Sequence, residues 1–267
     1  MLKKVERGGL GILSAPGVEN DFGISMAFTS GKHGGSGHQF KALNLSYDVG
    51  DDRKAVTSNR ILLAEAFGIP PENWVLCQQV HGSRVNIVGE LERGRGGLDH
   101  WSAMPRTDGL VTDKAGIALG ILTADCLPLA MVCGSAKVVG VAHVGWRGAL
   151  YGVATAAIRR MLEFPGCTPE EVIAFLGPCI GPCCLEVGSD VAAEFRRFHI
   201  DVAISGGNNG SPRLDLASTC RDQLISAGVK SNNIFTAGVC TRCDDEYFSY
   251  RGSGGKTGRQ AGIVAIL

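Results

Sequence analysis

The chain has 267 residues, of which 45% are hydrophobic, and its 26 basic side chains balance its 26 acidic ones. No block of Lys or Arg suggests a surface for nucleic acid, so we expect no such partner. The longest apolar region is interrupted by Asp125 and Pro128, well short of the roughly 20 residues that span a bilayer, so we also expect no membrane association. No Pro- or Ser-rich linker divides the chain, which predicts one domain over residues 1–267.

The ten cysteines could suggest a disulfide framework. The first residues, MLKKVERGGLGIL, lack the long apolar core of a signal peptide, so reduced thiols are the better interpretation. We therefore expect a cytoplasmic protein, acting as a monomer, in which some cysteines are buried and some are ligands.

The first third of the chain predicts an entry hairpin within residues 1–30, followed by a Gly-rich loop over 31–38. Asp52 is a helix N-cap signal, and the helix is expected to run to Phe67, with Gly68 at its end.

Two short strands, 74–79 and 84–88, are predicted on either side of a turn that carries His81. Side chains at turns converge on functional sites more often than those in the middle of strands. Arg60, on the preceding helix, could face inward, although a lone helical Arg is usually solvated.

Three apolar runs follow, each about as long as a strand and typical of strands buried on both faces. The residues between and at the ends of these runs are unexpectedly polar: Asp125 and Cys126 at one junction, His143 and Arg147 at the other. Burial of such groups is costly unless they have partners, so this region predicts a functional site. The runs are Ile117–Leu122, Leu127–Cys133 and Val138–Val144.

The second half of the chain mixes strands and helices without strict alternation. This order predicts an α+β (mixed α/β) fold with mixed sheets covered by helices. The expected elements are a helix over Ala149–Phe164, a strand over Val172–Leu176, a helix capped by Ser189 that ends near His199, a helix from Asp215 to Gly228, and strands over Ile234–Val239 and Gly262–Leu267.

His81, Cys126 and His143 together form a good ligand set for zinc. Three protein ligands leave a fourth position for water or substrate, and a water at that position can become a nucleophile near neutral pH. The simpler interpretation is that both histidines are hydrogen-bonded within the protein and that Cys126 is a buried thiol. Spacing alone does not decide between this interpretation and a metal site.

The same atoms allow other interpretations. Cys126 could be a thiolate nucleophile of a hydrolase, with His143 as base and Asp125 as its orienting carboxylate. One Cys and two His also describe a copper site of an oxidase, but only six histidines exist and no His-x-His pair occurs, which disfavours a laccase-type cluster. A non-catalytic metal-binding module is the alternative from another class.

The remaining cysteines are an open question. The pair Cys240 and Cys243 could join Cys179, Cys183 or Cys184 as a structural zinc site or a redox pair, although buried thiols are the default. The glycines of residues 252–255, with Arg251, Lys256 and Arg259, could bind an anion or form a mobile basic loop.

Seven stretches taken together resemble one family in order along nearly the whole chain. The YfiH-like family, also called polyphenol-oxidase or laccase-domain proteins, is described as purine nucleoside phosphorylases. The stretches are Asn44-Leu-Ser with Val49-Gly-Asp-Asp52, Gln79-Val-His-Gly82, Asp108-Gly-Leu-Val-Thr-Asp113, Thr123-Ala-Asp-Cys-Leu-Pro128, Ala142-His-Val-Gly-Trp-Arg-Gly148, Gly177-Pro-Cys-Ile-Gly-Pro-Cys-Cys-Leu-Glu-Val187, and Phe248-Ser-Tyr-Arg251 with Gly255-Lys-Thr-Gly-Arg259.

This resemblance implies mixed β-sheets sandwiched between helices and a metal site held by His81, Cys126 and His143, with zinc as the expected ion and copper as the alternative. It implies phosphorolysis of adenosine, inosine and 5′-methylthioadenosine, with adenosine deamination, so a purine nucleoside and phosphate are the expected partners. We expect catalytic roles for Asp125, Cys126 and His143, with Asp125 moving protons. The residues expected to bind substrate are Asn44, Arg60, Arg147 and Arg251.

Overall fold

The computed structural model describes residues 1–40, 42–198, 200, 204–206 and 210–267. In chain order the elements are β1 (Lys3–Arg7), β2 (Leu10–Ser14), α1 (Pro16–Phe22), β3 (Ile24–Thr29), α2 (Arg53–Phe67), β4 (Trp74–Leu76), β5 (Val85–Ile87), β6 (Gly109–Thr112), β7 (Ala118–Thr123), β8 (Leu127–Cys133), β9 (Val138–Val144), α3 (Trp146–Leu150), α4 (Val153–Met161), β10 (Val172–Leu176), α5 (Ser189–Arg197), β11 (Ile204–Gly206), β12 (Pro212–Leu214), α6 (Leu216–Ser226), β13 (Ile234–Thr236) and β14 (Gln260–Ile266).

Two six-stranded sheets form the centre of the fold. The first has the order β1-β2-β3-β14-β7-β4, and the second has the order β13-β10-β8-β9-β6-β5. Each contains antiparallel pairs together with parallel ones, β4 with β7 in the first sheet and β5 with β6 and β10 with β13 in the second. Strands β11 and β12 pair separately.

The two large sheets pack face to face with helices outside them. Side chains such as Phe28 and Val264 from the first sheet meet Val132 and Phe175 from the second in one buried cluster. Helix α2 covers the outer face of the first sheet, whereas α3, α4 and α6 cover the outer face of the second. The prediction of mixed sheets sandwiched between helices is confirmed.

Strand β8 shows why the central runs are apolar throughout. Leu129 and Met131 point to the helices, while Ala130 and Val132 point to the other sheet. With no face toward water, alternation of polar and apolar residues disappears. The three predicted central strands are present as β7, β8 and β9 within one residue of their expected ends.

Helix α2 begins and ends where its sequence signals predict. The Asp52 carboxylate accepts hydrogen bonds from the N–H groups of Lys54 and Ala55. Gly68 ends the helix at φ 83°, a left-handed conformation that favours glycine. A cap of this kind typically stabilises a helix by ~1 kcal/mol.

Several expected boundaries differ from the structure. The helix expected over 149–164 is two helices, α3 and α4, because Gly152 adopts φ 73° between them. The strands expected over 74–79 and 234–239 end early, at Leu76 and Thr236. The α5 N-cap is Gly188 rather than Ser189, and the expected end near His199 lies outside the described residues.

Candidate metal centre

The connection from β7 to β8 passes from one sheet to the other and carries Cys126. Strand β8 pairs antiparallel with β9, which places Pro128 opposite His143. Strand β6 lies on the other side of β9 and begins immediately after Asp108, whose carbonyl accepts the N–H of His143 at 2.7 Å. The sheet topology therefore brings Cys126, His143 and Asp108 to the same end of the second sheet.

His81 reaches this place from the loop between β4 and β5. Its backbone has φ 59°, in the left-handed region that non-glycine residues rarely occupy. Asp125, in the β7–β8 connection, has φ 88°. Unfavourable backbone conformations of this kind cluster at functional sites, where surrounding contacts hold them in place.

The ligand atoms of His81, Cys126 and His143 all lie within 4.8 Å of one another. The two imidazole rings meet edge to face, with centroids 4.7 Å apart and an interplanar angle of 78°. His143 is buried, Cys126 is partly buried and His81 is exposed. One side of the group is therefore open to solvent, as a site that takes water or substrate requires.

Asp108 supports two of these three residues, and the sequence reasoning missed it. Its completely buried carboxylate lies 2.9 Å from Nδ1 of His143. It also accepts the backbone N–H groups of Val80, His81 and Gly82 at 3.2, 2.9 and 2.7 Å. A carboxylate on Nδ1 leaves Nε2 as the metal-binding atom, and such partners raise the basicity of the ligand.

Electrostatics couples Cys126 to the two rings. Burial by itself raises the pKa of the thiol, but the charges and hydrogen bonds of His143 and His81 outweigh it and lower the pKa of Cys126 to about 6. Burial by itself lowers the pKa of His143, but the Cys126 thiolate and Asp108 outweigh burial and raise this pKa to about 9. Without a metal, the pair is therefore a thiolate and an imidazolium at neutral pH.

Zinc binding at pH 7.5 is expected to release about one proton from His143. The thiol, with a pKa of about 6, has already lost its proton at this pH, whereas His143, with a pKa of about 9, has not. A metal requires the neutral imidazole. Titration calorimetry in two buffers of different ionisation enthalpy, with Cys183 and Cys243 replaced by Ser so that zinc binds at this centre alone, measures the number of protons released. Equal apparent enthalpies in both buffers would contradict the expectation.

Gly145 leaves room for the three ligands. A Cβ atom at this position would lie 2.9 Å from Cδ2 of His81 and 3.2 Å from Sγ of Cys126. Its backbone, at φ −78° and ψ 173°, is accessible to any residue. Space, rather than backbone conformation, is therefore the reason for glycine here.

Gly145→Ala is accordingly expected to weaken zinc binding by about tenfold or more, the size of effect seen when ligand orientation is disturbed. Competition with a chromophoric chelator measures the affinity. Gly17→Ala is the control, because a Cβ there meets nothing within 4 Å. Equal affinities for the two variants would show that the ligands do not need this space.

Asp125 does not contact His143 as its orienting carboxylate; Asp108 occupies that position. One Asp125 oxygen accepts the Thr241 hydroxyl at 2.7 Å, and the other accepts the backbone N–H of Arg251 at 2.6 Å. Asp125 therefore ties the loop that carries Cys126 to the segment between β13 and β14. In the hydrolase interpretation the orienting carboxylate is therefore Asp108 and not Asp125. Asp125 is adjacent to Cys126 in sequence, but its carboxylate contacts Thr241 and Arg251.

Asn44 is completely buried, and its amide is fully engaged with protein groups. Its Nδ2 donates to the Ser46 carbonyl and to Asp51, while Oδ1 accepts the N–H groups of Ser46 and Arg259. No polar atom of this side chain is left for a substrate. In this structure Asn44 thus contacts the backbone of Arg259, and the expected contact with substrate stays a prediction.

Arg60 is likewise a buried structural residue rather than an accessible phosphate ligand. Its guanidinium is 2% exposed and donates four hydrogen bonds of 2.6–2.8 Å to backbone carbonyls. The Cζ atom of Arg60 lies over the Tyr47 ring, 4.3 Å from its centroid. The acceptors are the carbonyls of Leu45, Gly96 and Gly97.

Arg60→Ala is expected to lower the free energy of unfolding by about 3 kcal/mol or more, because each buried carbonyl left unpaired costs ~1–3 kcal/mol. Urea denaturation measures the change. Arg53→Ala is the matched control on the same helix; its exposed side chain also lies over Tyr47, and the expected change is within ~0.5 kcal/mol. A stable Arg60→Ala protein with a raised KM for phosphate would restore the substrate-binding assignment.

The other arginines differ in accessibility. Arg147 is exposed and lies 4.3 Å above the Trp146 ring, two residues after Gly145. Arg251 is exposed and donates to the Glu186 carbonyl. Arg259 was not among the predicted substrate ligands. Burial lowers its pKa, and the charges of Cys126, Tyr250, Asp125 and Asp48 oppose that shift.

The residues present fit a zinc ion. Two imidazoles and one thiolate, a buried carboxylate behind one imidazole and one open side are the features of a three-ligand zinc site. A single copper ion is also compatible with this donor set. Within the described part of the chain the other potential metal group consists of cysteines alone, so the histidine-rich cluster of a multicopper centre is absent there.

Comparisons with known proteins place this centre in a family context. Residues 25–267 match the model of the family described as multi-copper polyphenol oxidoreductase laccase. The purine nucleoside phosphorylase YlmD of Geobacillus stearothermophilus is 38% identical over 248 residues, 91% of this chain and 90% of that protein. The adenosine deaminase RL5 of an unknown prokaryotic organism is 34% identical over 250 residues, 92% of this chain and 93% of that protein.

A solved structure of a related protein has the same fold. The crystal structure of YlmD from Geobacillus stearothermophilus superposes with a TM-score of 0.92 at 36% identity, covering 99% of this chain and 98% of that one. The chain therefore belongs to the laccase-like family that its motifs predicted, and the prediction that it is an enzyme is confirmed.

Proposed function

We propose that this chain, as a member of the laccase-like family, is a metal-dependent purine nucleoside phosphorylase. It converts adenosine, inosine and 5′-methylthioadenosine to the free base and the corresponding (methylthio)ribose 1-phosphate, and it also deaminates adenosine. The observation that carries this proposal is the convergence of His81, Cys126 and His143 within 4.8 Å. The names of the relatives, purine nucleoside phosphorylase and adenosine deaminase, support the choice of substrate class.

The protein residues of the site have separate tasks. His81, Cys126 and His143 would hold the metal, zinc in our proposal, which when bound supplies a Lewis acid that acidifies water and polarises a substrate atom. Asp108 holds the proton on Nδ1 of His143 and keeps the other ring nitrogen directed at the site. Asp125, which precedes Cys126 in the chain, holds the Cys126 loop in place through Thr241 and Arg251, and we propose it as a proton carrier.

Phosphate requires cationic groups beside the metal centre. In phosphorolysis a phosphate oxygen forms a bond to C1′ of the ribose while the bond from C1′ to the purine nitrogen breaks. The electron pair of the broken bond leaves with the base. Guanidinium groups bind phosphate oxygens bidentately. We assign this task to Arg259, on whose pKa the negative charge of Cys126 acts, with Arg147 and Arg251 as further candidates.

Product analysis tests the proposal. Metal-analysed protein is incubated with each of the three nucleosides, with and without phosphate, and the products are separated by chromatography. Free base and sugar 1-phosphate that appear only with phosphate are expected, and His81→Ala, run alongside, controls for contaminating enzymes. Inosine formed from adenosine reports deamination. Absence of any product from metal-loaded protein would overturn the proposal.

A thiol hydrolase is the second candidate, because Cys126, His143 and Asp108 stand in the order of nucleophile, base and orienting carboxylate. The two functions respond oppositely to metal. Chelation should abolish phosphorolysis, whereas it should leave a thiol hydrolase active or activate it. Alkylation with iodoacetamide should be blocked by bound zinc if the thiolate is a ligand.

No helix of the described residues is long and apolar enough to cross a membrane. The cytoplasmic location and the monomeric state stay predictions; the ten cysteines, all with free thiols, are consistent with a reducing compartment.

A further inference from the structure

Four of the ten cysteines form a second group outside the metal centre. The sulfur atoms of Cys183, Cys184, Cys240 and Cys243, called here the cysteine cluster, all lie within 4.8 Å of one another. Cys184 Sγ lies 3.4 Å and Cys183 Sγ 3.8 Å from Cys243 Sγ. At a Zn–S bond length of 2.3 Å, tetrahedral thiolates are separated by roughly 3.8 Å, so one ion can reach these sulfurs.

The backbone around the cysteine cluster forms a hydrogen-bonded turn. Cys240-Thr-Arg-Cys243 is a tight turn in which the Cys243 N–H donates to the Cys240 carbonyl at 3.1 Å. The N–H of Gly181 donates to Sγ of Cys240 at 3.3 Å. Hydrogen bonds of this kind to sulfur favour the thiolate.

Two further observations separate this group from ordinary buried thiols. Cys183 and Cys243 are exposed, although free cysteines are usually among the most buried residues. A positive charge also lies beside the group, because Arg213 donates to the carbonyls of Pro182 and Cys183. Cys179, which the sequence also suggested, is buried in the core on the helix side and does not belong to the cluster.

The cysteine cluster is connected to the metal centre through Thr241 and Asp125. Thr241 is the second residue of the turn; its N–H donates to the Cys179 carbonyl at 3.0 Å and its hydroxyl to Asp125 at 2.7 Å. Asp125 precedes Cys126. An ion that fixes the turn would therefore fix Thr241 and, through Asp125, the loop that presents Cys126.

We propose that Cys183, Cys184, Cys240 and Cys243 bind a second, structural metal ion, a soft divalent cation such as zinc, which braces the loop that carries Cys126. Four thiolates close the coordination sphere, so this ion takes no substrate. The proposal is independent of the reaction that the first centre catalyses.

Metal stoichiometry tests the inference. Protein produced with added zinc and purified under reducing conditions is expected to contain two zinc ions per chain by mass spectrometry of the metal. Cys126→Ala should retain one ion, and the double variant Cys183→Ser with Cys243→Ser should retain the other. Cys220→Ala, a buried thiol of α6 outside both groups, should keep two.

Cobalt substitution identifies which ion remains. The thiolate-to-cobalt absorption of Cys126→Ala should exceed that of the double variant, because four sulfurs bind in one and a single sulfur in the other. Should the double variant not fold, Cys243→His preserves four ligands and is expected to bind two ions. One zinc ion per wild-type chain, or a disulfide within the cluster in protein purified without oxygen, would overturn the proposal. Two ions without nucleoside turnover would refute only the proposed activity.

Discussion

Cys126→Ala is expected to lower phosphorolysis by more than about 100-fold and to remove the metal from the active centre. Changing a residue that merely supports a metal ligand already costs ~10–100-fold, and Cys126 is itself a ligand in our proposal. Its loss would leave two imidazoles, one of them exposed, which hold zinc weakly. Initial rates with adenosine and phosphate, together with the zinc content of the same sample, measure both effects.

Cys220→Ala is the matched control for this experiment. It also removes one buried thiol, and it lies on α6 in the core on the helix side of the second sheet. Its activity and metal content should equal those of the wild type. Full phosphorolysis activity of Cys126→Ala would show that the thiol is neither an essential ligand nor a nucleophile, and would exclude Cys126 from the proposed metal centre and from the hydrolase alternative together.

The three residues that converge at the candidate metal centre could be picked out from the sequence because each conflicts with its surroundings. Cys126 and His143 stand at the ends of strands whose other residues are apolar, and His81 occupies a turn between strands. The apolar runs themselves predicted β7, β8 and β9 because burial on both faces leaves no polar positions. Local patterns therefore contained the central strands and the three residues that converge, while their role as metal ligands stays a proposal.

The supporting residues could not be found in the same way. Asp108 lies 35 positions from His143, and only the pairing of β6 with β9 brings them together. Asn44 was expected at the substrate because it lies in one of the stretches that resemble the family, and Arg60 because guanidinium binds phosphate. Their burial, and the backbone groups that take up their hydrogen bonds, follow from the packing of α2 against loops distant in sequence.

The break between α3 and α4 could also not be predicted from the sequence. Nothing in the periodicity of residues 149–164 requires an interruption, yet Gly152 adopts a left-handed conformation and divides the segment into α3 and α4. Glycine permits this conformation without imposing it, so the choice is made by tertiary packing. The short α3 that results follows Gly145 directly, and its glycine cap is the residue whose missing side chain leaves room for the ligands.

Asp108→Asn is expected to reduce zinc affinity by about 10–100-fold, as for other carboxylates that orient a ligating histidine. The Asp108 carboxylate accepts three backbone N–H groups as well as His143. An amide replaces one acceptor oxygen by a donor that faces other donors. We therefore also expect the metal-free variant to be less stable by ~1–3 kcal/mol.

The pH dependence distinguishes this effect from simple loss of packing. Burial would raise the pKa of Asp108, but its hydrogen bonds to His143 and the backbone outweigh burial and lower it. A lowered folded-state pKa contributes stability that is complete above the unfolded value of about 3.9 and is lost as pH falls through the folded value. The difference in unfolding free energy between wild type and variant should therefore be constant near pH 6 and shrink below about pH 4. Asp113 is an exposed aspartate just after the other end of β6, and Asp113→Asn should show neither the stability change nor the loss of zinc affinity. A difference in unfolding free energy that does not depend on pH would mean that the charge of Asp108 contributes nothing.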